Sequence, residues 1–570
     1  AGRITCGRGS GAGSLVCYLL GITNVDPIRY QLLFERFLTP SRRDPPDIDV
    51  DLPWDERDDA LDAALSRYGR DRAALVATHL HLERWSALRE AARAHGLDDG
   101  AITAMRQRLD QQRRFGGQLD APPPWPTVFA AARRLRGLPR HRGVHCGGVV
   151  ITATPIRQLV PLHPAAKQVG GRAAPTIAWE KDGAEQMGLV KIDLLGNRSL
   201  AVIRDCLADL AAAGASPPRN SWLHPDGDAA TRALIASGAT MGCFYIESPA
   251  TRQLQQKAAS PEFDRLVVHS SIIRPAAMRY IDRYLERLHD FKEHGVDRPE
   301  WYPHPVLANL LSESFGVLSY QEDVMLVCQK LAGFDEADAN RIRKTLGAWG
   351  DSQRQRMQEL ADKFFSGCRV RGIDEAVIEE VWQMIESFTG YSFCKAHSAS
   401  YAMVSYQCAY LKAHYPAIFL GRVIANGGGF YHPGAYVEEA RRLGITILPP
   451  CVVTGEASCR GDLDGRLRLG LQQIHDCSPE TARRIDAARQ DAPFASLADL
   501  RHRAGLDRDA LQGLLDAGAL DRLLAGRTPA QRAWLVGAVC RQTPTGRRDG
   551  QTSLLLDERC HSDPAPPPLP

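Results

Sequence analysis

Apolar and polar positions change period several times along this chain, and each change predicts an element. Asp47-Ile-Asp-Val-Asp51 alternates polar and β-branched residues, the period-two pattern of a strand. Gly188-Leu-Val-Lys-Ile-Asp-Leu-Leu195 reads as a second strand. Residues 143–153, Gly-Val-His-Cys-Gly-Gly-Val-Val-Ile-Thr-Ala, read as a third, with a glycine kink. Residues 61–118 carry long Ala, Leu and Arg runs and read as helical. Asp120-Ala-Pro-Pro-Pro-Trp-Pro126 must end any helix, because proline removes a donor and restricts its predecessor. From 200 to about 420 the pattern is mostly helical. There Val377, Val381, Met384 and Ile385 recur at i, i+4, i+7 and i+8 behind the cap candidate Asp374. Residues 466–525 predict two short helical pairs. The tail after 542 is polar, then proline-rich, and reads as disordered. No long-period repeat is visible.

Composition adds bounds. With 570 residues the chain exceeds a single core and predicts several domains. Hydrophobic residues at 44% and charged residues at 24% are ordinary for a globular protein. No apolar stretch approaches the roughly 18–20 residues of a membrane helix, and no signal peptide is visible. A formal net charge of +3 does not by itself call for nucleic acid, although a basic cleft can sit in a near-neutral chain. The 14 cysteines form no C-x-x-C pair, which argues against a zinc ribbon. They read as buried, reduced thiols of a cytoplasmic protein. Cys146 and Cys394 are expected to be small apolar filler. The chain starts on Ala rather than Met, with a strand-like motif almost at once, so an upstream region is expected to be missing.

Three patterns carry chemistry. Asp47, Asp49 and Asp51 would share one strand face, with Ile48 and Val50 on the other. Carboxylates so placed repel one another unless a cation or basic group lies among them, and hard oxygen ligands suit Mg²⁺. The bland alternative is a solvated acidic loop. Lys191 and Asp193 would likewise share a face, which adds a distant carboxylate beside a lysine, as a two-metal phosphoryl-transfer site requires. Gly7-Arg-Gly-Ser-Gly-Ala-Gly-Ser14 precedes an apolar run. Its glycines would let backbone amides approach phosphate, and Arg8 and Ser10 could add donors. It lacks the closing Gly-Lys-Ser/Thr of a Walker A loop.

Together with Leu33-Phe-Glu-Arg-Phe-Leu38, these segments resemble the palm of C-family polymerases, the family of the alpha subunit of bacterial DNA polymerase III and its error-prone relatives. The likeness continues in Phe315-Gly-Val-Leu-Ser-Tyr-Gln-Glu-Asp-Val-Met325 and in Gly390-Tyr-Ser-Phe-Cys-Lys-Ala-His-Ser-Ala-Ser-Tyr401. It runs on through Ser405-Tyr-Gln407 and Leu411-Lys-Ala-His-Tyr-Pro416, and covers roughly 1–525. The resemblance implies an α+β fold: a polymerase beta-like nucleotidyltransferase palm with a mixed sheet (1–78 and 136–200), a helical thumb (79–135) and helical fingers (201–450). A helix-hairpin-helix region (451–525) and a tail (526–570) follow. It implies Asp47, Asp49 and Asp193 as catalytic ligands of two Mg²⁺ ions. Arg8, Gly9, Ser10, Arg36, Lys191, Arg343 and Lys344 are implied at the nucleotide. Lys395 and His397 lie in a family motif, with packing or helix capping as the alternative.

The implied activity is template-directed addition of deoxynucleotides to a primer 3′-hydroxyl, in replication or translesion synthesis. The implied partners are primer-template DNA, deoxynucleoside triphosphates, a sliding clamp and other replisome or translesion subunits, with no membrane. Gln551-Thr-Ser-Leu-Leu555 resembles a short clamp-binding peptide anchored by Gln551, Leu554 and Leu555. The family's amino-terminal phosphoesterase-like (PHP) domain is expected upstream and is not in this sequence.

The chain also departs from the family. Gly347-Ala348-Trp349 lacks the two lysines that usually follow the fingers basic pair, which would weaken phosphate contacts. Tyr245 stands where the family commonly has Gln, and Arg274-Pro275 lacks the glycine that often follows. In the hairpin, Asp476-Cys-Ser478 replaces Gly-x-Gly, and an aspartate would repel phosphate. These departures suit a divergent paralogue. The alternatives are a catalytically weak or silent paralogue that binds DNA and the clamp, or a nucleotidyltransferase that works without a template.

Overall fold

A computed structural model describes residues 3–38, 48–116, 121–274, 278–346, 351–388, 393–541 and 563–564. The chain divides into two compact units. The first holds the amino-terminal segment, Val50–Asp55 and everything from Gly196 onward; the second holds Glu56–Leu195 with the start of the Asp-rich strand.

The second unit is built on a mixed sheet. Its strands are β2 (Ile48–Pro53), β3 (Ala73–His81), β4 (Pro139–Ile151), β5 (Leu162–Val169), β6 (Arg172–Ile177) and β7 (Lys191–Asn197). β2 and β7 both continue into the first unit, where β2 neighbours β1 (Cys6–Arg8). In the second unit the order is β2-β7-β4-β3-β6-β5. β4 runs antiparallel to both β3 and β7, whereas β3 and β6 are parallel.

β3 corrects the expectation of unbroken helix over 61–118. Helix Arg57–Tyr68 ends at Gly69, and the strand follows. Ala73 and Leu75 pack with Leu61, Leu65 and Val149 on one face; Ala74 and Val76 pack with Val150, Ile156 and Ile177 on the other. A strand buried on both faces shows no polar alternation, so its apolar run is indistinguishable by period from a helix. Beyond it, helices Arg84–Ala94, Asp99–Phe115 and Trp125–Leu135 close a small core of their own around Leu88, Met105, Trp125 and Val128.

The first unit is mainly helical, as expected, and its large core surrounds one helix, Lys395–His414. Sixteen of its twenty residues are buried. A helix covered all round needs partners for every polar side chain it carries. Ser398 shares a hydrogen bond with Ser271 (2.7 Å), and Ser405 donates to Phe244 O (2.8 Å). Gln407 donates to Leu223 O (3.2 Å). Lys412, 2% exposed, donates to Ala239 O, Met241 O and Glu439 Oε1, each at 2.7 Å. Among the described residues, no helix is long and apolar enough to cross a membrane. Helix Glu375–Glu386 follows Asp374 and buries Val381, Met384 and Ile385, as the spacing predicts, with Val377 half-buried; Asp374 stands at the cap position without a side-chain capping bond.

The carboxyl-terminal part has a separate core from Val452 to Val539. Leading into it, β8 (Thr446–Leu448), β9 (Arg460–Gly461) and β10 (Arg466–Arg468) form a three-stranded sheet in the order β8-β10-β9. The expected pairing of short helices over 466–525 is replaced by β10, a single 3₁₀ turn and helices Pro479–Asp491, Leu497–Ala504 and Arg508–Asp516. Cys394 is buried as expected, but Cys146 is exposed, where β4 departs from its regular pairing with β3 between Val144 and Val149. The tail over 542–562 lies outside the described residues.

Breaking the Lys412–Glu439 pair tests this core. Burial raises the Glu439 carboxyl, but bonds from Arg442 and Lys412 outweigh it and hold it down at about 2. A depressed carboxyl stabilises the fold above its unfolded value, and that contribution is lost as pH falls through the folded one. Urea midpoints should therefore decline between about pH 4.5 and 2. Lys412→Ala should cost about 3–5 kcal/mol at neutral pH.

Candidate active site

In the second unit, Lys191 and Asp193 point to the same side of β7 and are both buried. Lys191 Nζ donates to Asp193 Oδ2 at 2.7 Å. Asp193 Oδ1 is buried and has no hydrogen-bond partner among the described residues. Opposite Asp193 in the antiparallel register stands Gly148 of β4. The glycine kink foreseen there is a bulge: Leu75 pairs with Val149 and Ala77 with Val144, so four residues of β4 face Val76 alone. His145 closes the bulge. Its Nδ1 accepts from Gly148 N (2.8 Å) and Gly147 N (3.2 Å), and lies 3.8 Å from Asp193 Oδ1. Burial lowers the pKa of His145, outweighing the opposing pull of Asp193.

Asp49, half-buried, comes from β2, the sheet neighbour of β7. Asp47 lies outside the described residues. Two of the three expected carboxylates thus sit on adjacent strands, and one of them carries a bare oxygen. That donor set fits a hard divalent cation. Among the described residues alone, no three His, Cys, Asp or Glu side chains converge on a metal position.

In the first unit the glycine-rich segment forms β1, a 3₁₀ turn over Gly9–Gly13 and helix Leu15–Leu19, capped by Ser14. Gly9 has φ +67, which suits a residue without Cβ. A Cβ on Gly7 would meet Thr23 Cγ2 at 2.5 Å. Arg8 turns inward to Asp51, with Nη2 3.2 Å from Oδ2 and Nε 3.1 Å from Oδ1. Asp51 is fully buried, and its Oδ2 also accepts from Asn197 Nδ2 and Tyr401 OH, each at 3.0 Å. Gly9 N donates to His397 Nδ1 (3.3 Å), so that amide is engaged within the protein. Burial first, then Arg8, lowers His397 to about 4, so its imidazole is neutral at pH 7. The ring stacks on Phe393 and lies 4.2 Å from Tyr401, with Tyr245 edge-on at 6.3 Å. Tyr245 holds this place with φ +67, a conformation that costs a non-glycine residue about 1–3 kcal/mol.

The remaining expected residues are spread more widely. Ser10 is half-buried within the 3₁₀ turn. Arg36 is described by its backbone, in the turn Phe34–Arg36. Arg343 and Lys344 end helix Glu336–Leu346, the former half-buried and the latter exposed. Lys395 pairs with Glu313 Oε2 (2.7 Å), and its amide donates to Glu322 Oε2 (3.1 Å), so its described bonds anchor the buried helix. Gln551, Leu554 and Leu555 lie outside the described residues.

Sequence reasoning missed His145, Asn197 and Tyr401. Asn197 had a usable signal, since an Asn between a strand and a helix is a cap candidate. Its Oδ1 does accept from Ser199 N at 2.9 Å. Tyr401 lay inside a quoted motif without a role.

The Asp51 cluster makes a stability prediction. Asp51→Ala should cost about 3–5 kcal/mol, because it strands buried donors around a lost charge. Tyr401→Phe should cost about 1.5–3 kcal/mol, the range for a bond to a charged group. In urea unfolding the double variant should lose less than the sum of the two.

Comparison with known proteins gives three family matches. Residues 2–196 match the bacterial DNA polymerase III alpha NTPase domain, residues 199–372 the bacterial DNA polymerase III alpha subunit finger domain, and residues 444–530 a helix-hairpin-helix motif. The chain is similar to the error-prone DNA polymerase of Dechloromonas aromatica (strain RCB), 36% identical over 546 residues, which are 94% of this chain and 52% of that protein. For the error-prone DNA polymerase of Alkalilimnicola ehrlichii, identity is 36% over 553 residues, 94% of this chain and 53% of the relative. For that of Mycobacterium tuberculosis (strain ATCC 25618 / H37Rv), it is 34% over 552 residues, 95% and 48%. The chain spans about half the length of the curated relatives it matches.

Proposed function

We propose that this chain, which belongs to the bacterial DNA polymerase III alpha family, is the catalytic core of a template-directed DNA polymerase of the error-prone, translesion type. The observation that carries the reading is the Asp193 carboxylate: Oδ2 is pinned by Lys191, and Oδ1 is buried without a hydrogen-bond partner among the described residues. A buried carboxylate oxygen left bare is costly unless a ligand completes it.

On this reading β2 and β7 belong to a nucleotidyltransferase palm of the polymerase beta type, and the three helices over 84–135 form a thumb. Residues 201–450 form fingers, and the region from 451 to 525 carries the hairpins. Asp47, Asp49 and Asp193 would hold two Mg²⁺ ions, which when bound lower the pKa of the primer 3′-hydroxyl and neutralise the departing pyrophosphate.

The chain's own residues do the positioning. Lys191 fixes the Asp193 carboxylate by one oxygen and so orients the other. Asp51 orders Arg8 and, through it, the glycine-rich turn, whose remaining amides and Ser10 would meet the triphosphate of an incoming deoxynucleotide. Arg36, Arg343 and Lys344 would add positive charge at that nucleotide. The neutral His397 ring, fixed by Gly9 N and Phe393, would line the same place. Gln551, Leu554 and Leu555 would dock a sliding clamp. The protein would work in the bacterial cytoplasm on primer-template DNA, with other translesion or replisome subunits.

Primer extension tests the reading. With Mg²⁺ the native protein should extend a primer according to the template base, while Asp49→Asn and Asp193→Asn should fall to background with gel-shift affinity for primer-template retained. Binding without incorporation by the native chain would instead mark a silent, DNA-holding paralogue. Replacing Gln551, Leu554 and Leu555 together by Ala should abolish co-sedimentation with the clamp but leave extension on short templates unchanged.

A further inference from the structure

We propose that His145 is a positioning residue for Asp193, one that keeps Oδ1 of that carboxylate free of hydrogen bonds so that a divalent cation can take it. The inference rests on the reading of Asp193 as a metal ligand. It turns on how the β4 bulge is closed. An imidazole nitrogen that receives two backbone N–H groups must present its lone pair to them. Nδ1 of His145 receives Gly148 N and Gly147 N, so the ring proton of the neutral side chain is on Nε2. Nδ1 is also the ring atom that faces Asp193 Oδ1, at 3.8 Å. The lone pair of Nδ1 is given to those amides, so Nδ1 offers no proton to Asp193 Oδ1 across that gap. The other oxygen is already engaged by Lys191 at 2.7 Å.

The same contacts engage the amides of the bulge. Gly148 stands opposite Asp193 in the strand register, and its amide is given to His145 Nδ1 at 2.8 Å. The bulge allows the histidine to take it only because the next residues lack side chains. A Cβ on Gly148 would meet His145 Nδ1 at 3.0 Å and Val76 Cβ at 3.0 Å, and one on Gly147 would meet Leu195 Cδ2 at 2.5 Å. His145 thus holds two amides of the bulge and offers Asp193 no proton from Nδ1, and Oδ1 of Asp193 has no hydrogen-bond partner among the described residues.

The test is Mn²⁺ binding to the full chain, followed by electron paramagnetic resonance without DNA or nucleotide, alongside thermal melting. His145→Ala frees both amides of the bulge and should weaken Mn²⁺ binding by about 10–100-fold, the usual cost of losing a group that orients a metal ligand. His145→Asn keeps an acceptor near the Nδ1 position and should stay within about threefold of the native affinity. Native-like binding by a folded His145→Ala protein would overturn the proposal, as would a His145→Asn protein that loses more than about tenfold. If His145→Ala does not fold, His145→Asn decides, together with the ¹⁵N histidine spectrum: a proton on Nδ1 of His145 also overturns it. Asp193→Asn separates this idea from the one beneath it. If that variant binds Mn²⁺ like the native chain, the metal-ligand reading itself fails. If it abolishes binding while His145→Ala does not, only the role of His145 fails.

Discussion

A fully buried carboxylate, that of Asp51, sets the terms for the first unit. An uncompensated charge in a protein interior costs several kcal/mol, so its partners must arrive together. They come from three remote parts of the chain: Arg8 from the amino-terminal turn, Asn197 from the start of a helix, and Tyr401 from the buried helix Lys395–His414. Each partner has a second task. Asn197 caps its helix, Tyr401 packs against His397, and Arg8 leads into the glycine-rich turn. The same buried helix reaches that turn twice more, since Ser400 donates to Gly7 O (2.6 Å) and His397 accepts from Gly9 N. A segment rich in glycine would otherwise be the least ordered part of the unit. Here its shape is imposed from outside, by side chains several hundred residues away.

Strand alternation puts Asp49 and Asp51 on one side of β2, yet it cannot say what each does. Hydrogen bonding separates Asp51 from Asp193. Oδ2 of Asp51 accepts from Arg8, Asn197 and Tyr401, and Arg8 Nε lies 3.1 Å from Oδ1, so a guanidinium meets both oxygens. Among the described residues, Asp193 is met by the Lys191 ammonium on Oδ2 alone, with His145 Nδ1 3.8 Å from Oδ1.

The parts legible in the sequence are those whose two faces differ. The alternation of β7 and the spacing of helix Glu375–Glu386 announced themselves for that reason. β3 did not, because both of its faces are covered. The helix Lys395–His414 is buried on every side, and the sequence showed it only as part of the long stretch from 200 to about 420 that reads as helical. Lys412 belonged to a recognisable motif, but that its charge is spent on two carbonyls and Glu439 is a fact of packing. His145 was invisible for a different reason. Its partners are backbone amides of Gly147 and Gly148, and a bond to a backbone leaves no complementary side chain to notice.

The departures from the family pattern fall on a different class of position from the carboxylates. Asp476 takes a glycine's place in the hairpin and keeps the left-handed backbone, with φ +63, that a glycine would adopt freely. Its carboxylate is drawn to His475, itself 93% exposed, at 2.7 Å. The surface of this turn therefore carries a side-chain pair, His475 with Asp476. Tyr245 likewise has a left-handed backbone, with φ +67, and sets its ring edge-on to His397. The rings of Phe244, Phe393 and Tyr401 pack around it. On the proposed reading, displacing the Asp193 carboxylate would end the chemistry, whereas a change at a residue that holds substrate or DNA alters how tightly something is held.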